Sequence, residues 1–241
     1  MLLFMKKFFL FALIIPPFIS FAQSGYWQQK IKYTMDIDLD VATNKMTGKQ
    51  QIAYTNNSPD TLKKIFVHLF WNAFQPGSMT DVAQQMADQI TLGSNAKGDK
   101  FTDVDRRFKK KIYEMTPEEI GYCHVTGFMV NGQKQKIKEY ETVLLVELSK
   151  PILPKTTVQI QTSFESQVPK LSRRSGRDNA EGVRYSMGQW YPKIVEYDKL
   201  GWNADDYVAR EFYGIWGDYD VRITLDKNYK LGATGELQNA A

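Results

Sequence analysis

From Ile31 to Val41 the chain alternates without a break. Met35, Ile37, Leu39 and Val41 fall on one side, and Asp36, Asp38 and Asp40 on the other. A period of two belongs to an extended strand with one face in a core and the other in water; a helix cannot bury side chains at that spacing. The start of the chain is thereby committed to β-structure. The three carboxylates of DIDLD lie about 6.6 Å apart along such a strand. No glycine turn gathers them, so they read as a solvated face and not as a calcium loop. An aromatic content of 13%, rich in Tyr and Trp, favours strands as well.

The rest of the chain repeats the theme with one interruption. TNKMTG turns the chain, Lys49 to Thr55 returns as a second strand, and NNSPD marks the next turn. Lys64 to Phe74, which contains IFVHLFWNAF, is apolar on both faces and reads as a central strand. Between Gln75 and Thr116 the alternation dissolves. Met79, Val82, Ala83, Met86 and Ile90 there recur at helical spacing and predict a helix from Met79 to Ile90. Alternation resumes at Ile120 with Cys123, Val125 and Phe128, and Asn131-Gly132 is a strong hairpin signal. Lys134 to Tyr140 and Thr142 to Leu148 follow as strands. KPILPK then interrupts the ladder, because proline has no amide to donate. Thr156 to Phe164, Tyr219 to Leu225 and Lys230 to Leu237 complete the set. The spacing predicts an all-β sandwich or saddle of mainly antiparallel strands, joined mostly by hairpins, with a partly helical insertion near 79–116. No internal repeat or linker divides 23–241, which reads as one domain.

Residues 1–22 read as a secretory signal. Lys6 and Lys7 open it, Phe8 to Ile19 is its apolar stretch, and Ser20-Phe21-Ala22 ends it with small residues where a signal peptidase looks. The apolar run is shorter than the ~20 residues that span a bilayer, and Pro16-Pro17 breaks it. No cysteine at the boundary allows a lipid anchor. The expectation is cleavage after Ala22 and an exported, periplasmic or extracellular protein with no membrane attachment. Without Lys6 and Lys7, 29 basic side chains face 27 acidic ones, a balance that gives no general attraction to nucleic acid. DRRFKKKIYEM carries five basic residues, but the cluster is isolated and reads as a solvated insertion. Cys123 is the one cysteine, so no internal disulfide and no cysteine-based zinc cluster is expected.

The search for catalytic residues returns mostly absences. His68 and His124 are the two histidines. His68, alone in its strand, reads as a packed core residue and not as a metal ligand. Cys123 and His124 are adjacent, so a strand sends them to opposite faces and denies them a thiolate–imidazole pair. HExxH, G-x-S-x-G and GxxxxGK[ST] do not occur. Asp205, Asp206, Glu211, Asp218 and Asp220 offer carboxylates for glycosidic acid/base work, a reading that needs two of them to converge to ~5–9.5 Å; a solvated surface is the plainer alternative. No catalytic residue and no metal ligand is assigned.

Trp190, Tyr191, Tyr197, Trp202, Tyr207, Phe212, Tyr213, Trp216 and Tyr219 fall within thirty residues, far too much ring area to leave in water. Around them SGRDNAEGVRYSMGQWYPKIVEYD, followed by GIWGDYDVRITLDKNYKLGATGELQN, resembles the amino-terminal β-domain of bacterial metallopeptidases of the aminopeptidase N family. The resemblance runs from about Tyr26 to Asn239 and is densest after Ser175. It implies a β-saddle that forms one wall of a cleft. The last strand or two of that β-domain, and the thermolysin-like domain with its zinc, its GxMEN and its HExxH, would lie beyond Ala241. On this reading the chain is a non-catalytic portion without its own cofactor, its partner the absent catalytic domain and, in a complete enzyme, a peptide substrate. Relatives lend a Gln or Glu from the β-domain to the substrate's amino terminus. Gln189 and Glu181 are the matching candidates here, and hydrogen bonding within a strand is the plainer role for Gln189. Trp190, Tyr191 and Trp202 read as core or interdomain packing, and Arg173, Arg174 and Arg177 as facing the catalytic domain or as an exposed loop. A different class of function stays open: a stand-alone module that binds sugar or peptide on its Trp/Tyr cluster.

Overall fold

The computed structural model describes residues 25–88, 91–94, 96–98, 100–102, 111–170, 175–179, 181–208 and 213–238. The expected signal segment, Ile90, Arg173, Arg174, Glu211 and Phe212 lie outside them.

The alternating segment forms β1 (Lys30–Asp40), and it pairs antiparallel with β2 (Lys45–Thr55) in an unbroken register from Lys30↔Thr55 to Asp40↔Lys45. Ile31, Tyr33, Met35, Ile37 and Leu39 are buried, while the intervening carboxylates face water. Asp40 closes the hairpin, accepting a hydrogen bond from the Ala42 amide at 2.9 Å and from the Thr43 hydroxyl at 2.7 Å. Asn44 holds a positive φ of 59° in the turn, a conformation asparagine tolerates well.

β3 (Leu62–His68) is shorter than the run Lys64 to Phe74 suggested. After Leu69 the chain enters a 3-10 turn at Phe70–Ala73, all four residues of which are buried. An apolar run on both faces does not distinguish a strand from a buried turn. Asn72 settles it here: its amide donates to the Glu141 carbonyl at 2.8 Å and its oxygen accepts from the Cys123 amide at 2.7 Å. The helix, α1 (Met79–Asp88), follows, then the short pair β4 (Thr91–Ser94) and β5 (Lys100–Thr102).

β6 (Tyr122–Val130) turns at Asn131-Gly132, where both residues have positive φ (48° and 76°), into β7 (Gln133–Lys134). β8 (Lys136–Tyr140) and β9 (Val143–Ile152) then make a hairpin in a second sheet. β9 runs through Pro151, past the break expected at KPILPK. Its register against β3 slips between Leu62 and Lys64, so Pro151 sits in an irregular stretch where no ladder amide is demanded. β10 (Thr157–Gln167) rejoins the first sheet between β2 and β6.

Five two-residue strands follow: β11 (Gly176–Arg177), β12 (Tyr185–Ser186), β13 (Lys193–Ile194), β14 (Tyr197–Asp198) and β15 (Gly201–Trp202). β16 (Gly217–Thr224) ends the series. The strand expected from Lys230 to Leu237 is absent; these residues are largely exposed and make no ladder.

The first sheet has the order β16-β1-β2-β10-β6-β7 and the second β13-β3-β9-β8. Among the described residues, all strand pairings in these two sheets are antiparallel except that of β16 with β1. The inner faces of the two sheets form one core, where Ile52, Ile160 and Phe128 of the first meet Ile65, Val67, Leu144 and Val146 of the second. The fold is all-β. Gly48 in β2 gives the ring of Phe164 its place, since a Cβ there would come within 2.2 Å of it.

Candidate functional site

The described residues of 175–216 form a flap across the core rather than another sheet, and each anchor has a local cause. Trp71, buried in the 3-10 turn, donates its indole N–H to the Ser175 hydroxyl at 2.9 Å and to the Gly188 carbonyl at 3.2 Å. Arg177 is nine-tenths buried and donates to the carbonyls of Val168 and Glu118 and to the Asp178 carboxylate. It is therefore an internal anchor, contrary to its expected place on an exposed or domain-facing loop. Burial works against the charge of Asp178, yet Arg184 and Arg177 hold its carboxyl below the usual range. Tyr33 in β1 accepts from the Ile194 amide at 2.9 Å, and Gln50 in β2 donates to the Pro192 carbonyl at 3.2 Å. The flap is thus tied to both sheets.

Most of the ring-rich stretch is packing. Trp190, Tyr191, Tyr197 and Trp202 are half-buried against the core. Tyr191 meets Tyr33 and Tyr219 edge-on, and Trp202 meets Phe66 at 5.7 Å. Tyr33 and Tyr219 lie stacked 5.1 Å apart, and Trp27 stacks on Tyr197 at 5.9 Å. Three of the described rings escape: Trp216 is 85% exposed, Tyr213 54% and Tyr219 44%.

A group of ionisable side chains lies where β13 crosses β3. Register places Lys193 directly opposite His68, whose ring stacks on Phe70 at 4.7 Å. His68 is buried, and its Nδ1 has no hydrogen-bond partner. Burial and then Lys193 push its pKa down to about 4; Asn203, Asp205 and Asp206 offset this only in part. Burial also holds the Lys193 ammonium below the ordinary lysine range, against the pull of Glu196. Glu196 is pushed up to about 7, by burial first and the Asp198 carboxylate second. At neutral pH the imidazole is therefore neutral and Glu196 exchanges its proton. Among the described residues, no three His, Cys, Asp or Glu side chains are placed to hold a metal ion.

The sequence-derived candidates do not meet in a pocket of their own. Gln189 is half-buried in the flap, at a positive φ of 52°. Glu181 is exposed in the turn between β11 and β12. Asp206 accepts a hydrogen bond from the Thr142 hydroxyl at 2.9 Å beside the His68 group, whereas Asp218 and Asp220 stand exposed on β16. Cys123 is buried and His124 exposed beside Glu139, on opposite faces of β6. Lys193 and Glu196 were missed by the search for motifs. Their link to His68 is a register between strands 125 residues apart in the chain (68 to 193), which no local pattern encodes.

β16 presents an open surface. It occupies the edge of the first sheet, with every residue exposed except the half-buried Ile223. Tyr219, Val221 and Ile223 continue the side on which β1 carries Tyr33, Met35 and Ile37; Asp218, Asp220 and Arg222 point the other way. Trp216 precedes the strand. Gly217 lets the two strands approach, since a Cβ there would stand 2.6 Å from the Ile31 side chain.

No family model matches the sequence, and no curated protein matches it. Among solved structures, the chain is similar to a two-domain M1 zinc metallopeptidase variant bound to L-tryptophan. The identity is 13% and the TM-score 0.37, over 68% of this chain and 28% of that one. It is similar also to the M1 zinc metallopeptidase from Deinococcus radiodurans, at 14% identity and a TM-score of 0.37, over 68% of this chain and 27% of that one. A two-domain form bound to L-arginine gives 12% identity and a TM-score of 0.38 over the same shares. The chain spans little more than a quarter of the length of these proteins.

Proposed function

We propose that this chain serves as the non-catalytic β-domain of an exported metallopeptidase of the aminopeptidase N type, shaping one wall of a cleft and docking a zinc-bearing catalytic portion. One structural observation carries the reading. β16 and the approach to it leave Trp216, Tyr219 and Val221 exposed at the edge of the first sheet. An apolar margin of this kind marks a contact surface. The sequence resemblance, densest over the same stretch, supplies the identity of the partner. In that assembly Gln189 or Glu181 would accept a hydrogen bond from the substrate's amino group, and the zinc would belong to the partner.

The test has two arms. The purified chain, supplied with zinc and an amino acid p-nitroanilide, should release no nitroaniline. Mixed with a separately produced catalytic portion of such a peptidase, it should form a one-to-one complex that turns the substrate over. Release of amino acids by the chain unaided would overturn the reading.

Trp216 and Tyr213 favour one other reading, a module that stacks a sugar or peptide on exposed rings. That reading requires saturable quenching of Trp216 fluorescence by oligosaccharide, lost in Trp216→Ala.

A further inference from the structure

We propose that the cleft where the two sheets part, beside the turn from β6 to β7, is a binding site for a small carboxylate with a short apolar body. The cleft shares no residue with β16, and neither Gln189 nor Glu181 lines it.

The chain props the sheets apart at this end. β7 is only two residues long, and directly after it the chain crosses to β8 in the second sheet. Gln135 lies at the crossing and is buried. Its backbone N–H donates to the Phe128 carbonyl at 2.9 Å, and its side-chain oxygen accepts from the Ser149 amide at 2.7 Å. Its Nε2 donates to the Gln133 carbonyl at 2.6 Å. The side chain thus ties β9 to β7 as a strut, with a cavity of about 160 Å³ beside it. Val130, Val158 and Pro151 give this cavity its apolar wall, and Asn131, Gln133 and Lys150 its polar one. At ~30 Å³ per water the space holds about five waters, or a ligand of about five to eight heavy atoms.

The polar wall is biased toward donors. Asn131 has its oxygen engaged by the Gln159 amide at 2.8 Å, and Gln133 has its own engaged by the Ser149 hydroxyl at 3.4 Å. That leaves Asn131 Nδ2, Gln133 Nε2 and the Lys150 ammonium, none of which has a hydrogen-bond or ion-pair partner among the described residues. These groups donate and accept nothing. Among the described residues no carboxylate lines the cavity. A ligand that satisfies it must bring acceptors and negative charge, and a carboxylate supplies both in its two oxygens. The two valines and the proline call for a carbon body behind that group, which phosphate and sulfate lack. A free α-amino acid fits worse, because its ammonium would meet Lys150 with no acidic side chain to receive it.

The test is a titration of the ¹⁵N-labelled chain with isovalerate at physiological salt, read from the side-chain amide signals of Asn131 and Gln133. Both should shift along one saturable curve in the millimolar range. Isovaleramide, of the same shape without the charge, should bind at least about tenfold more weakly, and Lys150→Gln should weaken isovalerate by the same factor. Lys134→Gln removes a neighbouring exposed charge that does not line the cavity, and should change the affinity by less than about twofold. Backbone signals unchanged away from the cleft establish that both variants are folded. Acetyl-alanyl-valine presents the same group at the end of a chain, and the tighter binder of the two acids identifies the source. Absence of a saturable shift with either acid, binding of the amide equal to that of the acid, or equal weakening by the two lysine variants would overturn the proposal. So would phosphate that displaces isovalerate at equal concentration, since the apolar wall would then contribute nothing.

Discussion

His68 and Glu196 bury opposite ionisation problems within one neighbourhood. The pKa of His68 is depressed in the folded chain, so between about 4 and its ordinary value near 6.5 the unfolded chain binds the more protons. That difference makes stability rise with pH across the window. The pKa of Glu196 is raised, so between its ordinary value near 4.5 and about 7 the folded chain binds the more protons, and stability falls with rising pH. The two slopes oppose each other and flatten the profile of the native chain. Glu196→Gln should expose the histidine slope, with urea midpoints climbing from pH 4.5 to 6.5; His68→Phe should expose the carboxyl slope, with midpoints falling from pH 5 to 7. The histidine slope is on the order of 1–3 kcal/mol in all. Profiles that stay parallel to wild type in both variants would contradict the assignment. Cys123 poses a simpler case. Burial pushes its thiol up to about 12, and the thiolate is the reactive form. Ellman's reagent at pH 8 should label the folded protein at least about a hundredfold more slowly than the urea-unfolded protein.

Elements reverse one pattern that the sequence presents. An apolar stripe at helical spacing is ordinarily the face a helix buries, yet in α1 Met79, Val82 and Met86 are 49%, 48% and 62% exposed, and Thr80, Asp81 and Gln84 face inward. Specific hydrogen bonds explain the orientation. Thr80 donates to the Tyr207 carbonyl at 2.6 Å, Gln84 accepts from the Ile112 amide at 3.1 Å, and Asp81 accepts from Gly77 at 2.8 Å. Val82→Lys and Met86→Lys should therefore shift the unfolding free energy by no more than about 0.5 kcal/mol, as exposed positions do. Thr80→Val should cost about 1–3 kcal/mol by removing the hydroxyl that donates to the Tyr207 carbonyl. A larger loss from the lysine variants would show that the apolar face is covered. Where one face of an element is buried by its own alternation, as in β1 and β10, the sequence was enough to place it; β2 starts at Lys45, within the expected turn TNKMTG and ahead of the expected Lys49. The NG turn after β6 was equally legible, because its two positive φ angles are written in its residue types. What escaped was set by partners far away. The early end of β3 depends on Asn72 bonding residues of β6 and of the turn before β9, and the passage of β9 through Pro151 on a slip against β3. Of the site, Gln189 and Glu181 rest on resemblance alone, while Lys193 and Glu196 became visible only once β13 was seen against β3.

At the scale of the molecule, the flap decides whether two sheets behave as one body. Its anchors alternate between them: Tyr33 and Gln50 of the first sheet bond Ile194 and Pro192, while β13 itself pairs with β3 of the second. Ser175 and Gly188 then close on Trp71, beyond the end of β3. Neither sheet can lose the flap without leaving buried donors and acceptors unpaired, each at a cost of about 1–3 kcal/mol. The described chain should accordingly unfold in a single transition. Trp71, Trp190 and Trp202, three of the five tryptophans, lie in the flap and its seat, so the unfolding change in fluorescence reports on them, whereas far-UV circular dichroism reports on the long strands. In urea the two signals should share one midpoint and one slope. Trp71→Phe removes the indole donor and, at a site only 1% exposed, part of a buried ring as well. It should lower the common midpoint, by about 1–3 kcal/mol or more in free energy, through the lost indole hydrogen bonds and the lost packing; Ser175 and Gly188 keep their hydrogen bonds to each other. If instead the fluorescence midpoint moved to lower urea while the circular dichroism midpoint stayed, the flap would be a separately melting cover, and the coupling between the sheets would have to come from their shared core alone.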